Sequence, residues 1–82
     1  MLSEYLEAAL ESAHYEIMDD QEPYYGHIPS LQGVWASGET LEKCRRNLRE
    51  ALEDWVLFSV SQGLELPEVN GFSLVFPTKQ AL

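Results

Sequence analysis

With 82 residues, 45% of them apolar and 11% aromatic, the chain can bury one modest core, and its composition excludes wholesale disorder. Its net charge is −9 and its pI is near 4.4. No Lys or Arg occurs from Met1 through Glu42, a span holding Glu4, Glu7, Glu11, Glu16, Asp19, Asp20, Glu22, Glu39 and Glu42.

Nucleic-acid binding needs a cationic footprint to replace phosphate counterions, and only Lys43, Arg45, Arg46 and Arg49 cluster here, among acids on one predicted helix. The balance suits a basic partner, and it also serves plain solubility. No apolar run approaches the roughly 18 residues that span a bilayer. The acidic N-terminus lacks the basic region of a signal peptide. A single cysteine, Cys44, excludes an intramolecular disulfide and fits a reducing cytosol, so a cytoplasmic location is expected.

One domain is expected, in four parts. Residues 1–12 predict a short amphipathic helix, because Leu2, Tyr5, Leu6, Ala9, Leu10 and Ala13 recur at three- and four-residue spacing. Ser3 is its expected cap, and Glu4 and Glu7 suit its positive end. A helix this short is marginal alone and must dock its stripe on something.

Residues 13–38 predict a three-stranded antiparallel meander. Tyr15 and Ile17 alternate with His14, Glu16 and Met18, and Asp19 to Pro23 is turn chemistry. In the return strand Tyr24, Gly26 and Ile28 share one face, and Tyr25 and His27 the other. Pro29 ends the ladder, Gly33 permits the bend back, and Val34-Trp35-Ala36 makes the third strand.

Residues 39–63 predict a long helix packed on one sheet face, with Thr40 as N-cap and Gly63 at its C-terminal stop. Leu41, Cys44, Leu48, Ala51, Leu52, Trp55, Ser59 and Gln62 follow one side of it. Glu39–Lys43, Glu42–Arg46 and Arg49–Glu53 are spaced to pair. Leu57 and Val60 fall outside that arc, so either the C-terminal segment or a second chain must cover them.

Residues 64–82 predict an extended segment through Pro67, a turn at Asn70-Gly71, and a short strand from Phe72 to Phe76. A right-handed crossover would lay this strand beside the first, in sheet order third, second, first, fourth. The alternative is a strand that reaches into a neighbouring subunit. The class is therefore α+β, with element order α-β-β-β-α-β.

The run from Tyr25 to Trp55 carries a likeness. Its Ile28-Pro29-Ser30-Leu31-Gln32-Gly33-Val34 turn, its Gly38-Glu39-Thr40-Leu41-Glu42 helix start and its Asn47-Leu48-Arg49-Glu50-Ala51 element resemble the HicB family of antitoxins. That family shows an aromatic-rich strand, a (V/I)P-x-LPG turn, a G-(D/E)-T helix start and N-x-x-E-A. Gln32 stands where the family usually has proline, and Cys44 near a usual alanine. The resemblance implies a partial RNase H-like fold that inhibits HicA toxins, small basic ribonucleases that degrade messenger RNA, by occluding their active site. It implies no catalysis and no cofactor. Many members carry a further C-terminal DNA-binding domain. The pattern read here stops at Leu82 without one, so direct DNA binding is not expected.

Catalytic alternatives are weaker. Metal-dependent nuclease chemistry needs several carboxylates converging on an ion, whereas Asp19, Asp20 and Glu22 lie on one turn, where solvated turn residues are the ordinary reading. His14 and His27 sit on adjacent strands without a third ligand at zinc spacing. No metal is expected. Tyr24, Tyr25 and Trp35 are core, interface or both. The expected partner-binding set is Asp19, Asp20, Glu22, Tyr24, Tyr25 and Trp35. The expected surface for a homodimer or tetramer is Leu57, Val60, Phe72 and Leu74. The alternative function is an orphan oligomeric adaptor that keeps the fold without a nuclease partner.

Overall fold

Three four-residue strands pair in chain order, because short connections leave antiparallel neighbours as the only economical arrangement. A computed structural model describes residues 2–71 and 73. The strands are β1 (His14–Ile17), β2 (Tyr24–His27) and β3 (Trp35–Gly38), preceded by helix α1 (Leu2–Glu11) and followed by helix α2 (Leu41–Ser61). The sheet order is β1-β2-β3, with both pairs antiparallel. The fold is α+β, as expected. The anticipated fourth strand, Phe72 to Phe76, lies outside the described residues except for Ser73, which belongs to no strand.

Helix α2 is held at both ends by local chemistry. The Thr40 hydroxyl accepts a hydrogen bond from the Lys43 backbone N–H at 3.1 Å, satisfying one of the orphan donors of the first turn. At the other end Leu64 N–H donates to the Ser59 carbonyl and Gly63 N–H to the Val60 carbonyl, the paired bonds of a Schellman stop. Gly63 sits at φ 71, where a Cβ would be strained. Two of the three expected ion pairs form, Glu39–Lys43 at 3.2 Å and Arg49–Glu53 at 3.3 Å, both exposed. Glu42 and Arg46 do not pair with each other. Ser3 does not cap α1, since the helix already includes Leu2.

The buried stripe of α2 is Cys44, Leu48, Leu52, Val56 and Ser59. Leu41 and Gln62, expected on that side, are exposed, and Val56 takes a core place instead. A fully buried Leu such as Leu48 or Leu52 contributes about 2 kcal/mol by removal from water.

The stripe of α1 docks where the α2 stripe continues. Tyr5, Leu6, Ala8 and Ala9 are buried, and they share one core with Val56, Leu66 and Val69. The extended segment after α2 thus folds back over α1. Two side-chain bonds pin it: Tyr5 Oη donates to the Pro67 carbonyl at 2.7 Å, and Asn70 Nδ2 donates to the Ala8 carbonyl at 3.3 Å. No described helix is long and apolar enough to cross a membrane.

Candidate protein-interaction face

Strand alternation divides the sheet into two chemically different faces. On one face α2 approaches so closely that glycine is required. A Cβ on Gly38 would lie 2.5 Å from the Cys44 backbone nitrogen; on the same face the Tyr15 ring of β1 lies across Gly26, 2.7 Å from where its Cβ would be. The Cys44 thiol reaches the Ala36 carbonyl at 3.7 Å, and Asn47 Nδ2 donates to the Ser37 carbonyl at 2.9 Å, tying α2 to β3. Burial pushes the Cys44 thiol above its ordinary pKa and does the same to the Tyr15 phenol, where Arg45 partly offsets it. Cys44 is thus a small core residue held in its neutral form.

The opposite face has no helix on it among the described residues. The strand register places two rows across it: His14, His27 and Trp35 in one, Glu16, Tyr25 and Ser37 in the other. The rings run together. His14 meets His27 edge-on at 5.8 Å, His27 lies 5.7 Å from Tyr25, and Tyr25 stacks on Trp35 at 6.0 Å with planes 28° apart. Trp35 remains 55% exposed, so the ring chain is a surface and not a core.

Acidic groups border these rings. Glu22, in the β1–β2 turn, accepts a hydrogen bond from the Ser37 hydroxyl at 2.6 Å, which brings its carboxylate onto this face beside the Tyr25 row. Glu16 is the cross-strand partner of Tyr25 from the other side. Asp19 and Asp20 are exposed in the same turn.

A cleft of about 200 Å³ opens where Tyr25, His27 and Trp35 meet the turn after β2, lined there by Pro29, Gln32 and Gly33. The bend at Gly33 has φ 93, as its place in the turn anticipates. Nδ1 of His27 is buried and has no hydrogen-bond partner among the described residues.

The structure therefore joins Tyr25, Trp35 and Glu22 of the expected partner-binding set, with Asp19 and Asp20 on the adjoining turn. Tyr24 lies half-buried on the helix side of the sheet, paired across the strands with Ile17 and Gly38. Ile17 shares that side, yet it is 77% exposed. By sequence alone His14 and His27 read as polar sheet positions. The signal that adds them to the site is the alternation of residues 25, 27 and 35.

A second apolar area lies at the far end of α2. Leu57 is 68% exposed and Phe58 60%, with Val60 and Leu64 beside them in sequence and also exposed. Leu57 and Val60 are off the core arc, as their spacing anticipates. Phe58 and Leu64 enlarge the patch, and Phe72 and Leu74 lie outside the described residues. Among the described residues, no group of three or more His, Cys, Asp or Glu side chains is placed to hold a metal ion.

Comparison with known proteins adds to this geometry. A family model described as UPF0150-like matches residues 4–67. A UPF0150 protein of Thermotoga maritima is 33% identical over 64 residues, covering 78% of this chain and 84% of that protein. The crystal structure of TTHA0281 from Thermus thermophilus superposes with a TM-score of 0.90 at 49% identity, covering 93% of this chain and 94% of the other.

Proposed function

This chain belongs to the UPF0150-like family, and from that premise we propose that it is a HicB-like antitoxin, which binds a small basic HicA-type ribonuclease and silences it by covering its active site. The protein acts by binding, breaks no bond itself and uses no cofactor. The observation that carries this reading is the open sheet face, where a chain of exposed and half-buried rings is bordered by Glu16 and Glu22, with Asp19 and Asp20 exposed on the adjoining turn, on a chain of net charge −9. A surface of that kind suits a cationic protein and repels a phosphate backbone. The motif likeness from Tyr25 to Trp55 points the same way.

The protein works in the cytoplasm, where its target degrades messenger RNA. The exposed side chains of Leu57, Phe58, Val60 and Leu64 at the end of α2 support self-association into a dimer or tetramer, in which a second copy covers them. The same patch favours a second reading, an oligomeric adaptor without a nuclease partner.

The test is co-purification with the protein encoded in the adjacent reading frame. A basic protein of domain size is expected to elute with this chain at low salt and to dissociate progressively as salt rises. An adjacent frame encoding an acidic or unrelated protein, with nothing retained, would remove the antitoxin reading.

A further inference from the structure

The open sheet face has a defined place for one kind of side chain. Trp35 and Tyr25 form a stacked ring pair at the mouth of the cleft, with Trp35 largely exposed. Glu16 flanks Tyr25 across the β1–β2 pairing, and Glu22 flanks it from the Ser37 side through the 2.6 Å hydrogen bond. Two carboxylates thus lie on opposite sides of Tyr25, Glu16 in its row of the sheet and Glu22 reaching that row from the β1–β2 turn through Ser37, with Trp35 in the adjoining row. The adjoining cleft has an apolar wall in Pro29 and the turn through Gly33, and its other wall is the His27 ring.

Each part of that arrangement selects for cationic planar groups. Aromatic faces attract cations, and a guanidinium also stacks flat on them, which a compact ammonium does not. Carboxylates accept the guanidinium N–H fork in a directional way. An apolar wall accommodates the methylene stem behind a charged head. Stacked nucleobases would use the same rings, but the bracketing carboxylates oppose the phosphates that come with them.

We propose that this cleft seats an arginine side chain of a basic partner protein, its stem against the Pro29–Gly33 turn and its guanidinium over the Tyr25–Trp35 rings between Glu16 and Glu22. The proposal rests on the antitoxin reading for the partner's identity, but the site is defined by its own chemistry. It separates the face into one anchoring position and a surrounding acidic field that steers approach. Neutralising the field slows association, and removing the ring pair loosens the anchor.

The experiment is a nuclear magnetic resonance titration of the full chain with hexa-arginine and, separately, hexa-lysine, each followed through backbone amides and the Trp35 indole. Hexa-arginine is expected to move the Trp35 indole and the amides of Tyr25, His27, Gln32 and Gly33, and to bind several-fold more tightly than hexa-lysine. Trp35→Ala, at a position 55% exposed, is expected to weaken hexa-arginine binding about fivefold, and Glu7→Gln, on the exposed side of α1, to leave it unchanged. Equal binding of the two peptides, shifts spread evenly over all acidic residues, or an unaltered affinity in Trp35→Ala would overturn the proposal.

The two readings fail separately. If the adjacent-gene protein is not bound while hexa-arginine still seats at Trp35, the antitoxin reading falls and the site stands. If that protein is bound equally well by wild type and Trp35→Ala, the site falls and the antitoxin reading stands.

Discussion

Gly38 and Cys44 set how closely helix and sheet approach. Because a Cβ at position 38 would meet backbone atoms of Cys44 at 2.5 and 2.9 Å, no side-chain rotation relieves it. Gly38→Ala is expected to destabilise the fold by about 2 kcal/mol, read by denaturant unfolding. Burial raises the pKa of Tyr5, Tyr15 and Cys44 alike. In each case the folded chain keeps its proton longer than the unfolded one. Their contribution is therefore fully present at neutral pH, and it is lost as pH climbs above the unfolded values of about 8.5 for the thiol and about 10 for the phenols. Thermal unfolding followed across neutral to alkaline pH should show a melting temperature that declines once those values are passed. An unchanged one would remove these three groups from the account. For the same reason a thiol reagent at neutral pH should modify Cys44 only as fast as the protein opens.

At the scale of elements, local signals are legible in the sequence and long-range coverage is not. The Thr40 cap and the Gly63 stop depend on a few neighbouring residues and can be read directly. Thr40→Ala should cost about 1 kcal/mol of stability by the same unfolding measurement. The division of the meander into two faces is equally readable, because alternation is a property of each strand alone. The width of the covered arc on α2 is not. Its buried stripe turns toward Val56 and away from Leu41 and Gln62 because α1 and the Leu66–Val69 segment pack over the later turns. That packing joins distant parts of the chain, as the Tyr5–Pro67 and Asn70–Ala8 bonds show, each linking residues 62 positions apart. Ser3 reads as a cap only because the apolar stripe does not mark where α1 begins, which is at Leu2. Tyr5→Phe removes the bond that closes this far connection and should cost about 1 kcal/mol.

In the molecule as a whole, two surfaces lie on different elements, the open sheet face and the exposed apolar end of α2. The exposed apolar end of α2 is the expected contact between copies. Sedimentation of the wild type at micromolar concentration should give a species heavier than 9.3 kDa, and Leu57→Asp should return it to that mass. A wild-type chain that runs as a 9.3 kDa species throughout would refute self-association. The ring-lined face of the sheet is the expected contact with a basic ribonuclease. Its residues are only partly legible in the sequence: Glu22, Tyr25 and Trp35 are expected there, whereas Glu16, His14 and His27 join them through the strand register, which depends on how separate strands pair. Covering a cationic nuclease is proposed to be the whole of this protein's action. The most direct measurement titrates the purified chain into the adjacent-gene protein while messenger RNA cleavage is followed. Cleavage should fall to zero at a fixed molar ratio and return when Trp35→Ala and Glu22→Gln are combined. Cleavage that continues undiminished at excess wild-type chain, or RNA cut by this chain alone, would contradict it.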